Sequence, residues 1–316
     1  MKKLSLFLLI FCIFNLQSHE FNPAHLIVDQ SDNDKNLYQA TWMYPVKNIG
    51  KRANVIFPNI CILDAADPYV QGKYVIEKIS LECSETMKGK SIEIINLSVL
   101  TDALITINFV KDTFEGLVNV QNNKIEIPLK EQYYPTAYLY LGIGHLFDGL
   151  DHILFIFGLL FCITGVVNII KTITAFTIAH SITLGLSIYD IIYLPQGTTE
   201  ALIALTIIYL ALEINDNDKK LKTPWLMAFS FGLLHGLGFA GALSDIGIGN
   251  DQMLLSLLFF NIGIELAQIA LIPIPLFAIY LASKINYQNH LQITASFCIG
   301  GMGFYWFIDR VIGIIL

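Results

Sequence analysis

The chain has 316 residues, of which 54% are hydrophobic and only 14% are charged, and its net charge is −7. An ordinary soluble domain carries about 25% charged residues, so this composition excludes a disordered chain and argues against a wholly soluble protein. Nucleic-acid-binding proteins are usually basic, so the acidic charge argues against that class and no nucleic-acid partner is expected.

The first 18 residues have the pattern of a bacterial signal peptide. A basic Met-Lys-Lys start is followed by an apolar run over residues 4–14, in which Ser5 is the one polar residue. This run is shorter than the roughly 20 apolar residues that a membrane-spanning helix needs, and a polar segment follows it at once. We therefore expect export, with cleavage after Ser18 and an extracytoplasmic location for residues 19–135.

Residues 19–135 predict a small all-β domain. Apolar and polar residues alternate with a period of two in short stretches that turn residues separate, which indicates an antiparallel sandwich of about seven strands. No catalytic motif is visible there, so the domain is a candidate for binding an extracytoplasmic protein partner. The alternating stretches include residues 73–77, 91–95, 104–109 and 124–129.

Two cysteines, Cys61 and Cys83, lie in this segment. Two cysteines in one small exported domain are expected to pair as a disulfide. Two buried thiols are the alternative.

The remainder, residues 136–316, predicts a multi-pass membrane domain of six helices. Each contains enough apolar residues to cross about 30 Å of hydrocarbon, although the third is short. No internal repeat is evident along it. The expected helices span residues 136–163, 168–189, 198–213, 223–243, 252–282 and 291–314.

Positive charges favour one orientation. Lys171 follows the first helix, Lys219, Lys220 and Lys222 follow the third, and Lys284 follows the fifth. The loops after the second and fourth helices contain no lysine or arginine. Because positive loops face the cytoplasm, the β domain should lie outside a bacterial inner membrane.

Ionisable side chains in hydrocarbon are costly and usually functional, and the first expected helix has several. On a straight helix His145, Asp148 and His152 lie on one face, within about 60° of each other. Asp151 points roughly 120° away unless Gly149 distorts the helix. Asp151 is therefore better placed to orient a ligand than to act as one.

Further polar residues lie near the membrane midplane on other helices. His180 is on the second helix and His235 on the fourth, while the fifth carries a polar stripe with i, i+4, i+7 spacing. Imidazole with carboxylate is a ligand set for Ni, Co, Zn or Cu. The expected metal residues are His145, Asp148, Asp151, His152, His180, His235 and Glu265, while Asn261 and Gln268 of the stripe are expected to be structural.

Four motifs carry a resemblance to a known family. They resemble the HupE/UreJ family of hydrogenase and urease accessory membrane proteins, in its longer branch with an N-terminal extracytoplasmic domain. The resemblance implies a nickel permease or nickel-handling accessory protein, with His145, Asp151 and His152 handling the metal. The motifs are Gly144-His145-x5-Asp151-His152-x-Leu154-Phe155, Thr174-x-Phe176-Thr177-x-Ala179-His180-Ser181, Phe231-Gly-Leu-Leu-His235-Gly236 and Phe260-Asn261-x-Gly263-x-Glu265-x-x-Gln268.

Three functions remain open at this point. In a transition-metal permease, most simply for Ni²⁺, His145 and Asp148 would capture the ion from outside, and Glu265 would compensate its charge near the midplane. In an intramembrane zinc-dependent hydrolase, Asp151, Ser181 and Glu265 would supply the catalytic groups for a lipid or membrane-buried substrate. In a non-catalytic scaffold, the polar helix residues would only pack.

Overall fold

The structure is a computed structural model that describes residues 23–32, 34–46, 52–98, 101–130, 134–215, 223–244 and 253–315. The expected signal peptide lies outside these ranges, as do Lys219, Lys220 and Lys222. The described chain has a β-rich N-terminal region and a helical C-terminal region.

The β-rich region contains ten described strands rather than about seven, in two sheets. The larger sheet has the order β4-β6-β2-β1-β8-β9, with β5 also paired to β6, and the smaller has the order β10-β7-β3. The strands are β1 (Ala24–Gln30), β2 (Leu37–Pro45), β3 (Asn54–Ile56), β4 (Cys61–Ala65), β5 (Tyr69–Gln71), β6 (Tyr74–Cys83), β7 (Ser91–Ile95), β8 (Ala103–Asn108), β9 (Thr113–Val118) and β10 (Lys124–Glu126).

The expectation of a wholly antiparallel domain is wrong at one pair. β1 and β8 run parallel, with Leu26 opposite Ile105. Both strands are buried along most of their length, as parallel strands covered on both faces usually are. Alternation is therefore weak in these two strands. It is clear in β6, where every second residue from Ile79 to Cys83 faces the core.

The β-rich region is joined to the helices at two places. Leu104 of β8 belongs to the same buried apolar cluster as the helical core. The Lys73 ammonium group donates a hydrogen bond to the side-chain oxygen of Gln196, at the start of a helix.

Cys61 and Cys83 lie directly opposite each other on β4 and β6 and are joined by a disulfide.

Eight helices make up the described part of the C-terminal region. Their bounds lie within a few residues of the apolar runs, except where a run is divided into two helices. They are α1 (Thr136–Asp148), α2 (Leu150–Cys162), α3 (Val166–Ile188), α4 (Gln196–Asn215), α5 (Pro224–Ser244), α6 (Met253–Leu271), α7 (Pro273–Lys284) and α8 (Gln288–Ile315).

Four spans within the described residues are long and apolar enough to cross a membrane, or five if the bent α1–α2 pair counts as one. The four are α3, α4, the continuous Met253–Lys284 segment and α8. The expected single helix over 136–163 is wrong, because α1 and α2 meet at Gly149 with a bend of 71°. Gly149 has an extended backbone and ends the ladder of α1 by donating to the carbonyl of His145.

Two helix pairs pack backbone to backbone through glycine. A Cβ at Gly142 of α1 would lie 2.0 Å from the carbonyl oxygen of Phe260 on α6. A Cβ at Gly236 of α5 would lie 2.3 Å from the carbonyl oxygen of His180 on α3. Only glycine permits these approaches, which bring the polar residues of neighbouring helices within reach of one another.

Candidate metal centre

Three histidines from three helices meet in the helical core. His145 lies in the last turn of α1, His152 in the first turn of α2 and His180 in the C-terminal half of α3. One ring nitrogen from each lies within 4.8 Å of the corresponding nitrogens of the other two. All three side chains are at least 95% buried. Separate parts of the sequence are thus brought together as a group able to bind a metal ion.

His235 of α5 lies beside this group. Its ring centroid is 5.1 Å from that of His152, and its side chain is buried. It is not one of the three whose nitrogens converge within 4.8 Å. His152 therefore lies between two imidazoles, because its ring centroid is also 4.8 Å from that of His145.

The bend at Gly149 places Asp151 next to His152. One Asp151 carboxylate oxygen accepts a hydrogen bond from the backbone N–H of His152 at 2.9 Å and one from its Nδ1 at 3.1 Å. The carboxylate occupies the first turn of α2, where the unpaired N–H groups of a helix stabilise negative charge. Asp151 therefore orients His152.

His180 and His235 are oriented by acceptors of other kinds. His180 Nδ1 donates to Asn261 Oδ1 at 3.2 Å, and the orientation of that amide is set because Asn261 Nδ2 donates to the Leu257 carbonyl. His235 Nδ1 donates to the carbonyl oxygen of Phe231 at 2.9 Å. In each ring the proton is therefore held on Nδ1, and the lone pair is left on Nε2.

Across the described chain, Nε2 of His152, His180 and His235 has no hydrogen-bond partner although each atom is buried. A buried nitrogen lone pair without a donor is costly in a protein interior. Metal-bound histidines show the same division, in which one nitrogen donates to an oxygen and the other binds the ion. The donor set thus fits a transition metal.

The spacing of the nitrogens sets how tightly an ion is bound. Metal–nitrogen bonds are about 2.0–2.1 Å, so three nitrogens that share one ion are at most about 3.6 Å apart. The observed separations extend to 4.8 Å. The rings must move closer together by about 1 Å to share one ion, which makes the site adaptable rather than a preformed cage.

Phenylalanine rings enclose the histidines. Phe176 lies 5.1 Å from His235 and 6.3 Å from His180 between ring centroids, and Phe260 lies 5.5 Å from His145. No role was predicted for Phe176 or Phe260 from the sequence, although each lies within one of the four motifs. Their effect is to exclude water, which strengthens the electrostatic interactions within the cluster.

The polar stripe of α6 faces α3. Besides the bond from His180 to Asn261, Thr177 Oγ1 lies 3.1 Å from Gln268 Oε1 and donates to it, and Thr174 Oγ1 donates to Glu265 at 2.6 Å. Glu265 is thus held by a hydroxyl and is not one of the three clustered ligands. The partners Thr174 and Thr177 were missed, although both lie in the α3 motif.

Asp148 is placed away from the three-histidine group. It is exposed at the end of α1, and its carboxylate flanks Gly144 on the same side as Asp102, which immediately precedes β8. A Cβ at Gly144 would lie 3.4 Å from Asp102 Oδ2 and 4.0 Å from Asp148 Oδ2. Burial raises the pKa of Asp102 to about 6, and the neighbouring Asp148 charge adds to that rise.

Ser181 is positioned differently from a catalytic nucleophile. Its hydroxyl donates to the backbone carbonyl of Thr177 at 2.7 Å, one turn earlier on α3. This is the usual resting position of a serine within a helix. The hydroxyl is therefore engaged with its own helix and not with an imidazole.

A comparison with known protein families places the chain. The family described as HupE / UreJ protein matches residues 121–310, which is more than half of the chain and contains all four histidines of the centre. No curated protein and no solved structure matches the chain. The chain therefore belongs to the HupE/UreJ family.

Proposed function

We propose that the chain is a membrane permease or accessory protein that handles nickel or cobalt as its substrate. Membership of the HupE/UreJ family supports a nickel or cobalt role in general. The observation that carries the proposal is the convergence of His145, His152 and His180, in which His152 and His180 each have a buried Nε2 and an Nδ1 that already donates to an oxygen. Neutral imidazole is a preferred ligand of these metals.

The proposal includes six membrane crossings, with the α1–α2 pair as the first, α5 as the fourth and α6–α7 together as the fifth. The β-rich region then lies outside a bacterial inner membrane as a sandwich-like domain. Its Lys73 contacts the start of α4, which begins on that side in this arrangement. On the opposite side Lys171 lies 4.8 Å above the ring of Trp225, a pairing typical of a membrane interface.

The ion's route follows from this placement. Asp148, beside Asp102 at the outer side, would receive the ion, and the imidazoles would bind it in the core. Glu265 lies further along α6, toward the cytoplasmic side, where it would supply negative charge. Among the described residues it has no ion-pair partner. A permease site must release its ion, and adaptable nitrogen spacing favours release over permanent retention.

The test is metal binding by full-length protein purified in detergent without chelator. We expect little retained metal and histidine-dependent Ni²⁺ or Co²⁺ binding on titration. His152→Ala and His180→Ala should each weaken binding by more than the roughly 10- to 100-fold that loss of an orienting partner costs. His290→Ala is the matched control, because His290 is exposed at the start of α8.

Two other results would replace the proposal. Near-stoichiometric zinc that survives purification and is lost in both variants would favour the intramembrane hydrolase. Absence of histidine-dependent binding of any metal, in variants that retain their helical circular dichroism and melting temperature, would favour a scaffold. Uptake of radioactive nickel by proteoliposomes then separates a permease from an accessory protein that binds nickel without moving it.

A further inference from the structure

A further glycine, Gly232, makes a contact between α5 and α3 that corresponds to the contact of Gly142 between α1 and α6. Gly142 of α1 faces the carbonyl oxygen of Phe260 on α6, and Gly232 of α5 faces the carbonyl oxygen of Phe176 on α3. A Cβ on the first glycine would lie 2.0 Å from its carbonyl oxygen, and a Cβ on the second 2.4 Å from its own. The same pair of residue types thus makes the same backbone approach twice.

The sequences around these contacts also correspond. Leu141-Gly-Ile-Gly-His145 on α1 matches Phe231-Gly-Leu-Leu-His235 on α5, so a histidine follows each glycine by three residues. Phe176-Thr-Ile-Ala179 on α3 matches Phe260-Asn-Ile-Gly263 on α6. Each match is too short to stand out along the chain. The helix contacts show which residues of the two segments correspond, which the sequence alone does not show.

Several of the remaining helix contacts follow the same relation, whereas the α2–α4 contact has no counterpart of similar extent between α5 and α8 among the described residues. If the α1–α2 pair corresponds to α5, α3 to α6 and α4 to α8, the α1–α6 contact becomes the α5–α3 contact. The contact of α4 with α5 becomes that of α8 with the α1–α2 pair, which is made by α2. The contacts of α3 with α6 and of α4 with α8 map onto themselves, as they must if a two-fold axis passes through them.

We propose that the membrane part is built from two repeats of three spans, α1–α4 and α5–α8, and that it moves its ion by alternating access. This inference rests on the proposed permease function and the six-span arrangement. Because each repeat has an odd number of spans, the second repeat is inverted in the membrane relative to the first. Inverted repeats with an ion site near the midplane are a common architecture of secondary transporters.

The contacts divide the centre into two bodies. In one, α1 and α6 touch through their backbones, and in the other α3 and α5 do the same. Interpenetrating backbones cannot slide without a clash, so each pair moves as a unit. Between the bodies, α3 and α6 are joined by side-chain hydrogen bonds, which can be exchanged during a movement. These are Thr174 to Glu265, Thr177 to Gln268 and His180 to Asn261.

The histidines are divided between the two bodies. His145 belongs to the α1–α6 body, whereas His180 and His235 belong to the α3–α5 body. The ring centroids of His145 and His180 are 6.1 Å apart across the boundary. A rotation of one body against the other would change this separation. His152, between His145 and His235, would then keep the ion while its other ligands are exchanged.

The test is a cross-link across the α3–α6 boundary. Thr177→Cys and Gln268→Cys are introduced together in full-length protein in which Cys12, Cys162 and Cys298 have been replaced by serine. A short bifunctional thiol reagent then joins the two positions. The Thr177 hydroxyl bonds to the Ile173 carbonyl and to Gln268 rather than to a histidine, and each single variant treated with the reagent is a reference.

The control cross-link joins α4 to α8 through Asn215→Cys and Ser296→Cys. These two side chains are likewise hydrogen-bonded to each other across a helix contact, at 2.7 Å. The α4–α8 contact is formed by a close-packed apolar cluster that includes Ile207 and Trp306, and neither helix contributes a histidine to the centre. We expect it to act as a stationary support.

The expected result is that the α3–α6 cross-link abolishes radioactive nickel uptake by proteoliposomes in proportion to the cross-linked fraction, while Ni²⁺ binding in detergent persists. The α4–α8 cross-link should leave uptake at the untreated level. Undiminished uptake with a complete α3–α6 cross-link would overturn alternating access, as would equal losses from both cross-links. Failure of the proposed function is distinct from either, because uncross-linked protein would then bind or transport no nickel.

Discussion

Replacement of Asn261 by leucine tests whether the orientation of His180 controls metal binding. Asn261 Oδ1 accepts the Nδ1 proton of His180, and both side chains are buried. Leucine has similar volume but no acceptor. In the variant, His180 must either leave a buried N–H unsatisfied or move its proton to Nε2, where it blocks the metal.

The size of the effect follows from the cost of that unsatisfied donor. Leaving a buried donor without a partner costs about 1–3 kcal/mol. Because 1.4 kcal/mol is a factor of ten in affinity, the dissociation constant for Ni²⁺ should rise by about 5- to 150-fold. Asn261→Asp retains an acceptor oxygen, so this variant should bind Ni²⁺ at least as tightly as the native protein does.

Isothermal titration calorimetry of detergent-purified protein measures the affinity, with thermal unfolding as a check on the fold. Gln268→Leu is the matched control, because Gln268 is on the same stripe and accepts from Thr177 rather than from a histidine. Control of metal binding by the orientation of His180 is refuted if Asn261→Leu binds Ni²⁺ with a dissociation constant within twofold of that of the native protein. Equal weakening in Asn261→Leu and Gln268→Leu would also refute it, since the stripe would then act through packing alone.

Three further predictions concern the bend and the β-rich region. Asp151→Asn should weaken Ni²⁺ binding by about tenfold, because a neutral amide orients His152 less strongly; calorimetry would show no change if Asp151 only caps α2. Gly149→Ala should lower both the melting temperature and Ni²⁺ affinity, because its Cβ would lie 2.6 Å from His152 Nδ1; full retention of both would contradict the bent geometry. Glu115 is buried in β9, and this burial raises the pKa of its carboxyl group from 4.5 to about 7. The folded state therefore loses on the order of 3 kcal/mol of stability as pH rises through this interval. Glu115→Gln should raise the melting temperature at pH 8 but not at pH 4. An unchanged difference between native protein and variant across that pH range would contradict the last prediction.

The local patterns of the sequence were enough to predict most elements but not their breaks. Alternation over residues 91–95 corresponds to β7, and the apolar run at 168–189 corresponds to α3 within two residues. The break at Gly149 was not predicted, because hydrophobicity continues across it and glycine is common in membrane helices. The angle of roughly 120° between Asp151 and the shared face of His145, Asp148 and His152 applies to a straight helix, and the bend removes that condition.

The sequence could not predict which helices contact each other, for a different reason. The spacing of Asn261, Glu265 and Gln268 predicts a polar face, but a single helix cannot specify which neighbour covers it. The close approach of α3 to α5 depends on the contact of Gly236 with a backbone carbonyl. Because glycine has no side chain, no pattern in the sequence predicts this contact. Buried phenylalanines such as Phe176 are likewise indistinguishable from ordinary core residues by composition.

The bend at Gly149 also bears on how the protein is made. α1 and α2 have 13 residues each, so each half is about 20 Å long and neither crosses the hydrocarbon alone. Gly142 of α1 reaches its close contact only when Phe260 of α6 has been synthesised, more than a hundred residues later. At elongation rates of about 5–20 residues per second this delay is on the order of ten seconds. The α1–α2 pair is therefore among the last of the helices to reach its native position although it is made first, and a chain truncated before α6 should be degraded faster than the full-length chain.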